Sequence, residues 1–437
     1  MKLTRSLGLG FLVTTLTGGI AIIACSGEDG AAGAPGPTGP SGSVGQTGAT
    51  GAQGLPGVVA DAGNPLTQGA CTTPCHTFGG VVDQWRFSNH SHPQENEIGT
   101  GPCGNCHGID GLQNRVANNY LLTAEAGAPP TDVNHGHMNY TTKAGNASEI
   151  SYGGATTVGR IHCSTCHDFN STNDPHVTGK YSQGQAPLRI AGGVDDTAFI
   201  EKTPSGTVAT GQSVKYRAGN TCIFCHKSRK DVSAYIGDKN ALNSVRWGPH
   251  EGPQADVYTG KGGYHFAGQT YTTMKHAELT NGCVDCHMSP NANNGNVPDH
   301  SMKPNLAFCK TCHSGTLQTF DVQGGQSVVK NALFELQGLL NEKGMLTRAT
   351  SAPYAPLGPD DLTDAQFNLD AVRPNSGDAG ANIVADAPTA GALYNYLIIA
   401  RSKDFGVHNP TYAKQLLWDS ISQIKKSKPD SLAARPL

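Results

Sequence analysis

Cys283-Val284-Asp285-Cys286-His287-Met288 decides how this chain is built. Two thiols three residues apart, with an imidazole directly after them, form the attachment signature of c-type haem. The thiols add to the two vinyl groups of the porphyrin, and the adjacent histidine falls beneath the iron as its proximal ligand. The same pattern stands at Cys103/Cys106/His107, Cys163/Cys166/His167, Cys222/Cys225/His226 and Cys309/Cys312/His313, with a wider C-x-x-x-C-H at Cys71/Cys75/His76. With 17 histidines in 437 residues, six pairs each trailed by histidine arise by chance with odds of roughly 10⁻⁸. Zinc ribbons need no histidine after each pair, and a thioredoxin-like site needs one pair only. Thirteen cysteines also fail the parity of a disulfide framework. For Cys71 and Cys75 alone, a disulfide near the mature N-terminus stays open. The reading is six covalent haem c groups on twelve thiols.

Composition agrees with an interior built on something besides side chains. Only 37% of residues are hydrophobic and 6% aromatic, with 56 glycines and 26 prolines. That is a thin core for an ordinary globular domain. Six porphyrins in the region 69–320, about one per 60 residues of the haem-bearing chain, supply the missing apolar mass. The expected class is mainly α with extensive coil, a multihaem cytochrome c fold of short helices and loops. The cysteines cease at Cys312, and 321–437 reads as a C-terminal helical part of the same domain. Ser327–Leu346 carries apolar residues at helical spacing (Val328, Val329, Ala332, Leu333, Leu336, Leu339, Leu340), and Thr389–Ser402 and Thr411–Ser427 read likewise. Between them, Ala352–Pro388 reads as a long loop. These helices are a packing platform for the haems, with a subunit interface as a further use. The net charge of −3 and the lack of a basic run exclude nucleic acid as a partner.

The thirteenth cysteine has its own explanation. Lys2 and Arg5 precede an uncharged stretch, Ser6–Ala24, that ends Ile22-Ile23-Ala24-Cys25. This reads as a signal peptide over 1–24, with an uncleaved membrane helix as the alternative. The last four residues resemble a bacterial lipobox, which implies cleavage before Cys25 and a lipid anchor on its thiol. Ser26 after it favours the outer membrane by the same resemblance. Glycine then recurs at every third position from Gly27 to Gly57, so 25–68 reads as a collagen-like tether. It is either a weak trimeric stalk or a flexible spacer. Thirty residues at about 3.1 Å each reach roughly 90 Å.

Six irons need distal ligands, and eleven histidines lie outside the motifs: His90, His92, His135, His137, His162, His176, His250, His265, His276, His300 and His408. Bis-histidine ligation is the economical reading and implies low potentials and saturated irons. Seven candidates stand for six places: His90, His137, His162, His250, His276, His300 and His408. His162 directly precedes Cys163, so it is read as serving a neighbouring haem.

The C-terminal half carries a more specific likeness. Cys283–Met288, Pro298-Asp299-His300, Cys309–His313 and Phe405-Gly406-Val407-His408-Asn409-Pro410 are similar to motifs of the pentahaem nitrite reductase and hydroxylamine oxidoreductase superfamily. The resemblance implies that His408 caps the iron of His287, His276 that of His313, His300 that of His167, and His90 or His92 that of His226. Those nitrite reductases mark their catalytic haem with lysine in place of the motif histidine. Here the matching site by order has His107, and no C-x-x-C-K occurs. His250, ahead of His265, is therefore read as closing that site, which makes it a relay with no catalytic residue.

The lipobox, the spacer and the haem density also resemble the multihaem cell-surface lipoproteins of metal-reducing bacteria. The resulting expectation is an electron carrier at the outer cell surface. Its partners would be other c-type cytochromes or an outer-membrane conduit, and an external acceptor. A reductase of nitrite, hydroxylamine or a sulfur oxyanion is one alternative, and a haem filament subunit is the other.

Overall fold

The computed structural model describes residues 80–91, 104–107, 112, 161–169, 172, 174, 186–190, 197–202, 211–228, 230–237, 240–242, 247–290, 297–314, 317–346 and 383–437. Cys25 and the tether, Cys71, Cys75, His76, His92, Cys103, His135, His137 and His176 lie outside them. All described residues belong to the unit Ala60–Leu437.

Most helices before residue 320 are a single turn or little more: α1 (Val81–Arg86), α2 (Gly104–His107), α3 (Cys163–Cys166), α4 (Asn220–Ile223), α5 (Gln254–Thr259), α6 (Cys283–His287) and α7 (Leu306–Cys309). Three long helices follow: α8 (Gly325–Glu342), α9 (Ala387–Ser402) and α10 (Pro410–Lys425). Short 3-10 turns and two antiparallel two-stranded ladders complete the described elements. β1 (Ala198–Glu201) pairs with β2 (Gly211–Val214), and β3 (Asn240–Leu242) pairs with β4 (Ile383–Ala385).

The long helices sit where the apolar spacing predicts, with shifted ends. α9 starts two residues early because Asp386 accepts the Thr389 N–H at 2.8 Å, and Pro388 is tolerated in a first turn. Gly344, at φ +70°, lies just past the end of α8, before Leu346. The expected loop through Pro388 gives way to β4 at its end, because a three-residue strand is too short to leave a periodic signal.

α8 buries Val329, Ala332, Leu333, Leu336 and Leu340, and α10 buries Tyr412, Ala413, Leu416, Leu417 and Ile421. α9 is buried from Ala390 to Ser402, as befits a helix apolar on every side. Its lone arginine, Arg401, is 5% exposed and donates through Nη1 to the carbonyls of Trp247 and Pro249, at 3.1 and 2.5 Å. A buried guanidinium thus ties the central helix to the loop that carries His250. Among the described residues, no helix is long and apolar enough to cross a membrane.

Candidate haem sites

Each described motif is one helical turn, which is what its spacing dictates. The His167, His226 and His313 N–H groups donate to the carbonyls of Cys163, Cys222 and Cys309, at 2.9, 3.0 and 2.9 Å. The Cys225 N–H donates to the Cys222 carbonyl at 3.2 Å and tightens its turn further. Residues three and four apart share a helix face, so both thiols and the imidazole point the same way.

The described motif cysteines are not spent on disulfides. Cys106, Cys163, Cys166, Cys222, Cys225, Cys283, Cys286, Cys309 and Cys312 all stand outside any disulfide. Cys106 and Cys225 are half-buried, like most of the set, while Cys163 and Cys312 are exposed.

Opposite each of five motif imidazoles stands a second one. Ring centroids are 5.7 Å apart for His226 and His90, 6.3 Å for His107 and His250, 6.2 Å for His167 and His300, 6.2 Å for His287 and His408, and 6.0 Å for His313 and His276. An iron held by two imidazoles at about 2.0 Å each, with each nitrogen about 1.15 Å from its ring centre, sets centroids about 6.3 Å apart. The observed gaps fit that span. His90 and His226 approach Nε2 to Nε2 at 3.5 Å. Among the described residues no group of three or more His, Cys, Asp or Glu side chains is placed to hold a metal.

In seven of these ten histidines Nδ1 faces an oxygen, which aims Nε2 into the gap. Nδ1 meets a carbonyl oxygen in His167 (Ala186, 2.7 Å), His250 (Glu251, 2.8 Å), His276 (Val407, 2.7 Å), His287 (Met302, 3.0 Å) and His300 (Pro298, 2.8 Å). In His226 it meets Gln254 Oε1 at 3.1 Å, and in His408 it lies 3.0 Å from Asp404 Oδ2. Burial lowers His167, His226, His287 and His300, and takes His90 down to about 4. These rings are therefore neutral near pH 7 and keep a lone pair for a metal. For His408 burial opposes the charge, but the Asp404 carboxylate outweighs it and the ring is raised.

Local sequence explains how the rings are held. Trp85 stacks on His90 at 5.9 Å, and Gln84 Oε1 on the same helix accepts the His300 N–H at 2.9 Å. Residues 186–190 strap the His167 turn. Arg189 N–H donates to Cys166 O at 2.8 Å and its Nε to Ser164 O at 2.7 Å. Tyr258 on α5 donates its hydroxyl to the His276 carbonyl.

The sites border one another. Cys222 is raised, first by donating its S–H to Cys283, then by burial and by neighbouring thiols, Cys166 and its own partner Cys225 among them. Burial pushes Cys286 up to about 12, with Cys309 and Cys312 adding to it. His226 is depressed by burial first. His408 and His107 act on it in the same direction, and the Cys106 thiol works against them. The His226 turn thus neighbours the His107, His167 and His287 turns, and the His287 turn neighbours that of His313.

His162 is engaged as a helix cap: its Nδ1 accepts the Ser164 N–H at 3.1 Å, and the residue is exposed. His265 lies in a tyrosine cluster, stacked on Tyr271 at 4.1 Å with Nε2 2.8 Å from the Tyr412 hydroxyl. His137 lies outside the described residues. Sequence reasoning missed Gln254, Arg401 and Asp404. An arginine in an otherwise uncharged helix, and an aspartate four residues before a candidate ligand, were the available signals.

Thiol pairs one turn from an imidazole, recurring along a chain whose relatives carry the same cofactor, define a multihaem c-type cytochrome with covalently held haem c. No family model matches the chain. Among known proteins it is similar to the C-type polyheme cytochrome OmcB of Geobacter sulfurreducens, 25% identical over 377 residues, covering 74% of this chain and 44% of the relative. The C-type polyheme cytochrome OmcC of the same organism is 23% identical over 366 residues, with 74% and 43% covered. The chain spans less than half the length of these curated relatives. Of solved structures, the Outer Cell Wall Cytochrome OcwA aligns with TM-score 0.41 and 18% identity over 79% of this chain and 50% of its own. The undecaheme cytochrome from the S-layer of Carboxydothermus ferrireducens aligns at 0.39 and 17%, over 79% and 41%.

Proposed function

We propose that this chain is a hexahaem electron relay, held at the outer cell surface and passing electrons between partner cytochromes and an external acceptor. The observation that carries the reading is the row of five imidazole pairs, each spaced for one iron. The bound haems supply one-electron Fe(III)/Fe(II) chemistry, and the chain's residues set spacing and potential. His107, His167, His226, His287 and His313 are the proximal ligands. His250, His300, His90, His408 and His276 close the opposite faces, in that order. The sixth haem sits on Cys71, Cys75 and His76.

With both faces closed, these sites hold no position for a substrate, so they move electrons without bond chemistry. The His226 site is the junction. The exposure of Cys163 and Cys312 supports the His167 and His313 sites as the points where electrons enter and leave. The Ile22-Ile23-Ala24-Cys25 run and the glycine repeat after it support a lipid-anchored, tethered arrangement at the outer membrane.

Spin counting by EPR tests the reading. Six low-spin bis-histidine haems per chain, matched by six equivalents in a pyridine haemochrome assay, are expected. A stoichiometric high-spin haem in the resting protein would reject the pure relay in favour of a reductase.

A further inference from the structure

We infer that Asp404 is a positioning residue that sets the potential of one haem, holding the iron between His287 and His408 below its neighbours. The inference rests on the relay reading above and adds which site is the low point. Its basis is the oxygen that Nδ1 faces in seven of the ligand imidazoles. His167, His250, His276, His287 and His300 meet neutral backbone carbonyls, and His226 meets a neutral side-chain amide. His408 meets a carboxylate, at 3.0 Å.

The carboxylate is built in, not incidental. Asp404 is 7% exposed. Its Oδ1 accepts the Ser402 hydroxyl at 2.5 Å and the Gly406 N–H at 3.2 Å, and its Oδ2 accepts the His408 N–H at 3.1 Å. Three donors from its own turn fix both oxygens, and Oδ2 is left facing Nδ1 of the imidazole. Gly406 takes φ +87°, and a Cβ there would meet Val329 Cγ2 at 2.8 Å, so the turn is locked against α8.

A full negative charge 3.0 Å from Nδ1 and out of water acts on the ring more strongly than the dipole of a neutral carbonyl does. It draws the Nδ1 proton toward oxygen and makes Nε2 a stronger donor. A stronger donor favours the ferric state, as does a negative charge buried beside the ring. The site takes one electron and the proton stays on Nδ1, so no proton is exchanged. Since the His287 site lies between the His226 and His313 sites, a low potential there is a step that electrons must climb, and it sets the pace of that branch.

The test uses full-length haem-loaded protein and two substitutions. Asp404→Asn keeps an acceptor and the shape of the turn but removes the charge. Ser402→Ala strips a donor from Asp404 and leaves the carboxylate a stronger acceptor toward His408. In a spectroelectrochemical titration, Asp404→Asn raises one component alone. At a fixed potential its oxidised-to-reduced ratio falls about tenfold, which is about 59 mV for one electron. The low-spin EPR g-values of a single haem change with it. Ser402→Ala lowers the same component. Should Asp404→Asn fail to mature, the direction of the Ser402→Ala shift decides alone.

With haem content and spin state intact, unmoved components, a uniform shift of all components, or shifts of the same sign in both variants would overturn the inference and leave the paired-imidazole reading standing. Wild-type protein short of its low-spin complement would overturn the reading beneath it as well.

Discussion

Replacing Arg401 by methionine should open one iron to outside ligands while leaving the rest of the relay closed. The guanidinium is buried and spends Nη1 on the carbonyls of Trp247 and Pro249, at 3.1 and 2.5 Å. His250 follows directly and faces His107 at 6.3 Å. Methionine keeps most of the stem's packing but removes both bonds and leaves two carbonyls without that donor. Hydrogen bonds to a charged group contribute about 1.5–3 kcal/mol each. The placement of His250 therefore weakens by about 3 kcal/mol or more, which shifts its open-to-closed ratio by roughly 100-fold. The effect is local, because Gly248, with φ +93°, still packs on Leu397, and the Gly252 N–H still donates to the Arg401 carbonyl at 3.1 Å. The assay is carbon monoxide binding to the reduced protein together with high-spin EPR of the oxidised form. Wild type should bind little, and Arg401→Met up to one equivalent per chain, with one matching high-spin signal. A variant that melts earlier but binds no carbon monoxide and stays low-spin would show that Arg401 braces the fold without governing His250.

Two further outcomes follow from buried charge. Lys202 and Asp256 form an ion pair with side chains 5% and 1% exposed, so Lys202→Met leaves a buried carboxylate unpaired and should cost about 3–5 kcal/mol in denaturant unfolding of the matured protein. An unchanged midpoint would mean that the Ser228 N–H, 2.6 Å from Asp256 Oδ2, satisfies that carboxylate by itself. Glu335 ties the C-terminal segment to α8. Burial raises its pKa, but the Ser431 hydroxyl, the Asp430 and Ser431 N–H groups and Lys425 together hold it below its ordinary 4.5. A depressed carboxylate contributes stability that is full above about pH 4.5 and lost as pH falls through the lower native value. Protection from hydrogen exchange across 426–437, after correction for the intrinsic rate at each pH, should fall on acidification through that window. Glu335→Gln should show low protection there at every pH, and an acid response that persists in it would place the titrating group elsewhere.

What was legible in the sequence follows the range of the physics. The attachment turns were readable because thioether chemistry fixes thiols and imidazole within five residues, as at Cys283–His287. The long helices were readable because Val329, Leu333, Leu336 and Leu340 recur at the helical period. The facing of His90 and His226 spans 136 residues, and no local pattern can carry that. It was reachable only through likeness to a known arrangement. The β3–β4 ladder joins segments about 145 residues apart through three residues each, too few to alternate visibly. The roles of Gln254 and Arg401 were illegible for a different reason. Each is anchored on a backbone carbonyl, that of Ser402 for Gln254 and those of Trp247 and Pro249 for Arg401, and any residue type can present one.

One short segment gathers these unread contacts. Arg401 braces the His250 loop, and the Ser402 carbonyl accepts from Gln254 Nε2 at 2.9 Å while Gln254 Oε1 meets His226. Asp404 meets His408, and the Val407 carbonyl meets His276. Seven residues at the end of the most buried helix thus orient rings in four sites. Electron transfer depends on distances that must hold while partners come and go, so the rings are best fixed to the part of the chain that opens last. In local-unfolding terms that part is α9, buried over thirteen consecutive residues. The His167 turn takes its bracing from residues 186–190, outside this bracket. Its thiol Cys163 is exposed. On the relay proposed above, a terminus held separately in this way yields to a docking partner without moving the junction at His226.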